Sequence, residues 1–348
     1  ENTTARKKSK TTVKTIVATL SVSAMMGLSG EVHASFKSND ASSDQYGNNY
    51  VAIGQNAQVG TGSKWAGNSI AIGNNAKAQD GQSTAVGASA QALGDSSTAL
   101  GYGARVDAGT GQSIAIGSMS QAIGDQSTAI GNDTHSTGHS SVAIGGDDVN
   151  SVIDAAGTEY YQLTGTKLIK NQWQNTDSAG HGSVAIGVQS QALGNFSTSL
   201  GMSAKTEGTG SVAFGANARG SGKGATGIGT ASQATAQQAT AIGMSSAATG
   251  KNSTAIGSGG NTPATATKAT ADGAIAIGGN SVQGSQATGK NAIAIGGESS
   301  ASVDNAVAIG AGSKSTHSNS VALGVNSVAD GANIGNEAWK PKDVAGNP

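Results

Sequence analysis

A four-residue motif that ends in glycine recurs along most of this chain at a regular spacing. Over its most regular part the closing glycines stand 14 residues apart, at Gly187, Gly201, Gly215, Gly229, Gly243 and Gly257. A fixed period is typical of proteins built from stacked repeats. Where the step is longer, as between Gly145 and Gly187, the motifs on both sides stay intact. We therefore predict a ladder of 14-residue coils over residues 51–335, with insertions that leave from its turns.

The composition argues against an ordinary globular domain. Glycine accounts for 54 of 348 residues, aromatic residues for 3% and charged residues for 12%, so few large side chains are available for a conventional core. The net charge of -1 does not suit a typical disordered chain, and stacking can join a few apolar groups into one thin core. The same charge balance gives no electrostatic basis for binding nucleic acid or an anionic membrane surface.

Each motif has the alternation of a short β-strand. In the motif that ends at Gly145, Val142 and Ile144 share one face and Ala143 points to the other. The first position is β-branched in most motifs, which favours strands. The closing glycine, and a second glycine in each coil such as Gly94, can turn at positive φ. Two strands and two turns would close one coil, and the stacked coils predict an all-β parallel β-roll.

We expect the valine and isoleucine side chains to form the core of the coil, which leaves an alanine-rich face outside. That face contains Ala115, Ala129, Ala143 and Ala185. Burial against copies of the same chain would cover it, and the small side chains would let the copies approach closely. The alternative is a monomeric solenoid whose alanine and serine face is solvated.

The first 34 residues have the pattern of a signal peptide whose beginning is missing. Four lysines within residues 7–14 precede an apolar run over residues 15–30. Val32 and Ala34 are then the small residues at the third-last and last positions before a cleavage site. We predict a signal peptide over residues 1–34. Residues 35–50 are polar and aperiodic, and we expect them to form a lead-in or an N-terminal cap.

One insertion, residues 146–183, differs in composition from the ladder around it. It carries aromatic residues and lysines that we take as candidate ligand-binding residues, namely Tyr160, Tyr161, Lys167, Lys170 and Trp173. The residues on either side of Thr164-Gly165-Thr166 predict a β-hairpin. Tyrosine and tryptophan dominate binding hot spots, so a projecting hairpin could anchor a protein ligand. Alternatively, these aromatic residues cover a neighbouring subunit, because a ladder poor in large side chains needs packing.

No motif in the chain predicts catalysis, a cofactor or a metal ion. The glycine pattern over residues 222–227 matches a dinucleotide-binding fingerprint by letter, but it lies inside the repeat and lacks the required strand–turn–helix context. The histidines outside the signal segment have neither metal-ligand spacing nor cysteine partners; they are His135, His139, His181 and His317. We therefore predict that the protein is not an enzyme.

Several of the motifs resemble the Asn-Ser-Val-Ala-Ile-Gly repeat of YadA-like heads, which belong to trimeric autotransporter adhesins of Gram-negative bacteria. The segments that carry the resemblance are Asn68–Gly73, Asn252–Gly257, Asn291–Gly296 and Asn319–Gly324. The resemblance implies a left-handed parallel β-roll in each subunit and a homotrimer of subunits packed side by side. It also implies a cell-surface role in binding matrix proteins such as collagen, fibronectin or laminin, and in cell–cell aggregation.

The chain departs from a complete adhesin of that family in two respects. It has no heptad stalk and no Asp-Ala-Val-Asn neck motif. We therefore expect residues 336–348 to begin a connector to a stalk, and the whole protein to be anchored in the outer membrane. Other repetitive solenoids remain alternatives, such as a phage fibre or an ice-binding protein, and more remotely a hexapeptide-repeat acyltransferase. The threonines on the strands are too irregular for an ice-binding array, and the 14-residue period disfavours the acyltransferase.

Overall fold

A computed structural model describes Phe36–Lys37, Ser42–Ser43, and residues 50–60, 68–260 and 262–331 of the chain. The predicted signal peptide at 1–34 and the predicted connector at 336–348 lie outside the described residues, as does most of the predicted lead-in at 35–50. The chain divides into two compact units, Glu1–Ser140 and Ser141–Pro348. The described part of each unit is a parallel β-solenoid, with about 18 turns in all.

In the first unit each turn of the solenoid contributes one long and one short strand. The long-strand series is β1 (Phe36–Lys37), β3 (Val51–Ile53), β5 (Ile70–Ile72), β7 (Thr84–Val86), β9 (Thr98–Leu100), β11 (Ile114–Ile116) and β13 (Thr128–Gly131). The short-strand series is β2 (Ser42–Ser43), β4 (Gln58–Val59), β6 (Lys77–Ala78), β8 (Gln91–Ala92), β10 (Arg105–Val106), β12 (Gln121–Ala122) and β14 (Thr134–Ser136).

The described part of the second unit repeats this arrangement and adds one helix, α1 (Asn150–Thr164). Its long strands are β15 (Val142–Gly145), β17 (Val184–Ile186), β19 (Thr198–Leu200), β21 (Val212–Phe214), β23 (Thr226–Ile228), β25 (Thr240–Ile242), β27 (Thr254–Ile256), β29 (Ile275–Ile277), β31 (Ile293–Ile295), β33 (Val307–Ile309) and β35 (Val321–Leu323). Its short strands are β16 (Thr176–Ser178), β18 (Gln191–Ala192), β20 (Lys205–Thr206), β22 (Arg219–Gly220), β24 (Gln233–Ala234), β26 (Ala247–Ala248), β28 (Lys268–Ala269), β30 (Gln286–Ala287), β32 (Ser300–Ala301), β34 (Lys314–Ser315) and β36 (Val328–Ala329).

Neighbouring strands pair in parallel, with equivalent residues of the motif side by side. Thr240 of β25 lies beside Thr254 of β27, for example. The register survives the longest insertion, because Val142 of β15 pairs with Val184 of β17. Insertions therefore leave from the turns and do not interrupt the ladder, as the sequence predicts.

The prediction of a valine and isoleucine core is wrong, because the alanines lie inside the coil. Ala115 and Ala129 in the first unit, and Ala143 and Ala185 in the second, are each 0% exposed. The flanking β-branched and aliphatic residues point outward and remain partly exposed, and Leu100 reaches 43%. The alanines therefore cannot form the outer face that a second copy of the chain would cover.

The physical reason is the narrowness of the coil. At two inward positions that carry glycine, the backbone of the opposite wall lies too close to leave room for a β-carbon. A β-carbon on Gly227 would stand 2.4 Å from the Arg219 carbonyl oxygen, and one on Gly220 would stand 2.7 Å from that of Val212. Most inward positions of so thin a coil therefore carry alanine, serine or glycine, and β-branched side chains such as Val106 and Thr206 are buried only at some of the short strands.

Many inward serines take part in this core with their hydrogen bonds satisfied. The Ser127 hydroxyl donates to the Gly124 carbonyl oxygen at 2.6 Å, and the Ser253 hydroxyl donates to that of Gly250 at 2.6 Å. Both serines are buried. Because a buried hydroxyl without a partner is costly, these bonds allow serine to alternate with alanine along the interior.

The local conformation explains most of the repeated motif. Asn252 adopts a left-handed conformation with φ 55°, which asparagine tolerates better than most residues. Gly257 closes the motif at φ 125°, a region that favours glycine. The second glycine of most coils, such as Gly94 and Gly208, does not have the positive φ that the sequence suggested. Gly208 instead lacks a side chain because a β-carbon there would stand 2.1 Å from the Gly222 carbonyl oxygen of the next coil.

The predicted hairpin in the insertion is also wrong, because its first half belongs to α1. Ile153, Ala156, Tyr160 and Thr164 recur at three- and four-residue spacing, which places them on one side of a helix. The helix ends at Gly165, whose left-handed φ of 68° lets its N–H bond to the Tyr161 carbonyl oxygen. The glycine that suggested a hairpin turn is therefore the C-terminal cap of a helix.

Candidate binding groove beside the inserted helix

The insertion leaves the solenoid between β15 and β16 and returns to the same coil. Thr176 marks the return: its hydroxyl accepts a hydrogen bond from the Gly146 N–H at 3.1 Å and lies 2.8 Å from the Gly187 carbonyl oxygen. Asp177 then pairs with Gln191 of the next short strand. Hydrogen bonds to the ladder therefore hold both ends of the insertion.

The insertion lies against the turn that follows the long strands. The side-chain amide of Gln189 donates to the carbonyl oxygens of Asp147 at 2.8 Å and of Gln172 at 3.2 Å. Two coils further on, the Asn217 amide donates to the Thr166 hydroxyl at 3.0 Å. Gln189 and Asn217 have the same left-handed conformation and are both buried. The insertion therefore packs against the solenoid of its own subunit and does not project freely from it.

Tyr160 anchors the helix to this surface. It is 6% exposed, and its hydroxyl has no hydrogen-bond partner among the described residues. Burial raises the pKa of the Tyr160 hydroxyl. The hydroxyls of Ser203 and Thr164 and the charge of Arg219 are close enough to oppose that rise, although neither hydroxyl bonds to it. Tyr160 therefore holds the insertion by its ring.

We expect Tyr160→Phe to raise the stability of the insertion by about 1 kcal/mol, because it removes a buried hydroxyl without a partner. Tyr160→Ala should lower it by about 3 kcal/mol, because it leaves a cavity beneath the helix. Hydrogen exchange of the α1 amides measures both changes, with the β31 and β33 amides as an internal control. Faster exchange of α1 in the Tyr160→Phe variant would contradict this assignment.

Between the insertion and the short strands lies an open groove of ≈ 540 Å³. One side is formed by the segment after the helix, with Lys167 and Trp173. The other side is an outward row from successive short strands, in which Gln191 pairs with Lys205 and Lys205 with Arg219. A volume of this size is within the range of small-molecule sites.

One of the cations in this row is already paired. The Lys205 ammonium lies 2.8 Å from the Glu207 carboxylate. The hydrogen bond from Lys205, and then that from Ser221, lowers the pKa of the Glu207 carboxyl. Because the folded-state pKa is lowered, this contact stabilises the protein fully above the ordinary carboxyl range. The contribution is lost as the pH falls through the lowered pKa.

The five candidate residues do not form a single site. Tyr160, Lys167 and Trp173 line the groove. Tyr161 lies on another side of the helix, in a second depression that includes Pro263. Lys170 forms an ion pair with Asp154 on the helix surface. Sequence reasoning missed two groove residues, Lys205 and Arg219, although their 14-residue offset placed them in one row.

Comparison with known families identifies the family to which the chain belongs. The family model described as the YadA head domain repeat matches eleven segments: 66–90, 81–104, 111–134, 122–147, 178–204, 197–218, 221–246, 234–259, 265–281, 287–313 and 318–333. Together they cover more than half of the chain. The chain belongs to the YadA head family. No curated protein matches the chain closely enough to count as a relative.

Membership in the YadA head family indicates an adhesin-type function and a surface-exposed autotransporter of Gram-negative bacteria. Heads of this family form trimers and bind host surfaces in general, and they are typically not catalytic. In this YadA head the match stops at residue 147 and resumes at 178. Helix α1 and the segment after it therefore lie outside the part that the family model describes.

The described part of this YadA head contains no group of three or more histidine, cysteine, aspartate or glutamate residues that could hold a metal ion. It also contains no helix with the length and apolar character needed to cross a membrane.

Proposed function

We propose that this protein is the homotrimeric head of a bacterial surface adhesin, built from left-handed coils of 14 residues. In this proposal three subunits pack side by side and hold the head away from an outer-membrane anchor. The head attaches the cell to extracellular matrix proteins such as collagen, fibronectin or laminin, and cells to one another. Three copies of each surface per trimer would give avidity to contacts that are weak individually.

The observation that carries the trimer is an apolar outer face on the long strands. We call it the long-strand face and define it by the outward first and third residues of those strands. Isoleucines and valines stack along it in register, as Ile293 does with Val307 and Ile295 with Ile309. Some members are strongly exposed, for example Phe214 at 52% and Leu323 at 71%. The first residue of several long strands is threonine, but the third residue is apolar in every long strand of the second unit, and an apolar row of this kind marks an interaction surface.

Ile309→Asp should convert the trimer of residues 35–348 into monomers. The substitution places a carboxylate within the long-strand face, where three subunits would bury it without a partner. Light scattering at micromolar concentration measures the mass. Ser300→Asp adds the same charge to the opposite wall of the solenoid and should leave the mass unchanged. A wild-type head that is already monomeric would refute the trimer.

The insertion is the second element of the proposal, and its role in binding can be separated from its role in packing. Removing residues 147–174 would join Gly146 to Asn175, so that Asn175 takes the left-handed turn position and Thr176 the buried position after it. The shortened coil should therefore keep its register. We expect the shortened head to remain a trimer and to lose binding to at least one of collagen, fibronectin and laminin. Unchanged binding to all three, with a lower melting temperature, would instead favour packing alone.

A further inference from the structure

We propose that the groove between α1 and the short strands binds a carboxylate-bearing oligosaccharide. This inference rests on the proposed adhesin function and adds the chemical class of the ligand and the residues that recognise it. The carboxylate would come from a terminal sialic acid or from a uronic acid within a chain. Both sources present one planar anion on a ring rich in hydroxyl groups.

The first argument is the charge of the groove. Among the described residues neither Lys167 nor Arg219 has a carboxylate within 4 Å, whereas Lys205 is paired with Glu207 and Lys170 with Asp154. The groove is therefore lined by three cations, Lys167, Lys205 and Arg219, and by no acidic residue. The nearest carboxylate that faces them is that of Glu207, whose pKa is lowered by Lys205 first and also by the charge of Arg219. The guanidinium of Arg219 can hold a carboxylate through two parallel hydrogen bonds, which gives such a contact geometric specificity.

The second argument is the mixture of groups around those charges. Trp173 is 56% exposed at the edge of the groove and offers a flat apolar surface to a sugar ring. The side-chain amides of Gln174 and Gln191 also line the groove and can both donate to and accept from hydroxyl groups. One aromatic surface, several amides and two cations outside any ion pair together suit an acidic sugar.

The third argument distinguishes a sugar from an extended peptide. A peptide commonly binds to a β-protein by adding a strand to a free edge. The short strands that line the groove have no free edge, because Lys205 pairs with Gln191 on one side and with Arg219 on the other. Arg219 pairs in turn with Gln233. On this wall of the groove only side chains are offered to a ligand, and the ladder holds them in a row.

The position of the groove also keeps it open in a trimer. The groove lies on the outward side of the short strands, whereas the long-strand face belongs to the other sheet of the solenoid. A trimer that buries the long-strand face would therefore leave three grooves exposed on its outer sides. Three equivalent sites would increase the avidity for a surface coated with acidic sugars.

Calorimetry on the intact head tests this proposal with 3′-sialyllactose, a hyaluronan tetrasaccharide, which carries uronic acids without sulfate groups, and neutral lactose. We expect one of the two acidic sugars to bind and lactose not to bind, and the bound sugar identifies the source of the carboxylate. Arg219→Gln and Lys167→Gln should each weaken binding about tenfold or more. Lys314→Gln removes the same charge from the same register position of a distant short strand and should leave the affinity unchanged.

Three results would overturn the proposal. The first is the absence of binding by either acidic sugar. The second is equal affinity in the Arg219→Gln and Lys314→Gln variants. The third is displacement of the bound sugar by a glutamate-rich peptide at lower concentration, which would assign the groove to an acidic protein segment.

A parallel assay separates this proposal from the adhesin function. The wild-type and Arg219→Gln heads are compared for binding to immobilised laminin, fibronectin and collagen before and after enzymatic removal of their glycans. Undiminished binding in every case would preserve the adhesin function and refute the sugar site. Binding to the acidic sugar without binding to any matrix protein or to cells would preserve the site and refute the adhesin function.

Discussion

Gly243→Ala should destabilise the coils around it by about 3 kcal/mol or more. Two effects add at this position. Gly243 has φ +121°, a conformation that residues with a side chain rarely adopt, and a β-carbon there would stand 2.4 Å from the carbonyl oxygen of Gly257. That oxygen belongs to the backbone of the next coil, so it cannot move away without breaking the ladder.

Gly210→Ala is the matched control. Gly210 also has a positive φ, +65°, but a β-carbon there would have no atom within 4 Å. The substitution should cost about 1 kcal/mol, the ordinary penalty for a left-handed residue with a side chain. Because stacked repeats can unfold in parts, hydrogen exchange around each site is a better measure than one melting temperature. Equal protection in the two variants would contradict the close approach of the backbones.

Ala294→Ile should destabilise the single subunit, whereas Ile295→Ala should weaken the association between subunits, although the two residues are neighbours on β31. Ala294 is 0% exposed inside the coil, and three additional carbon atoms should cost about 3 kcal/mol or more, because the opposite wall cannot retreat. Ile295 points outward, so Ile295→Ala should leave the fold of one subunit nearly intact and weaken the association between subunits.

The measurements for this pair are thermal unfolding and mass by light scattering across a dilution series. Ala294→Ile should lower the melting temperature at every concentration, whereas Ile295→Ala should act mainly by raising the concentration at which the trimer dissociates. If isoleucine were the core residue, the order would reverse, and Ile295→Ala would cost about 2–5 kcal/mol in a single subunit. The pair therefore tests which face of the strand is inside.

The failure of the sequence to orient the strands has a simple cause. Alternation places Ala143 on one face and its neighbours Val142 and Ile144 on the other, but it is symmetrical with respect to inside and outside. In most domains the larger apolar residues are inside, and that general rule led to the wrong orientation. The deciding quantity is the distance between the two walls of a closed coil, which no short window of sequence contains.

The prediction of a hairpin in the insertion failed for a different reason. The residues around Tyr160 and Tyr161 have the composition of a strand and also an apolar repeat at helical spacing, and Gly165 suits both a hairpin turn and a helix cap. Packing on the solenoid favours the helix, because it brings the ring of Tyr160 into contact with the turn surface. Local preference alone did not distinguish the two structures.

By itself the sequence determined the repeat, its register and the family. The glycines recur at the places where the backbones of successive coils touch, so their period specifies which residues stack. Only the tertiary structure decided that alanine lies inside, that the apolar face lies outside, and that Lys167 and Arg219 line the same groove. Those results depend on how the chain closes on itself, and closure is a property of distances between residues that are far apart in sequence.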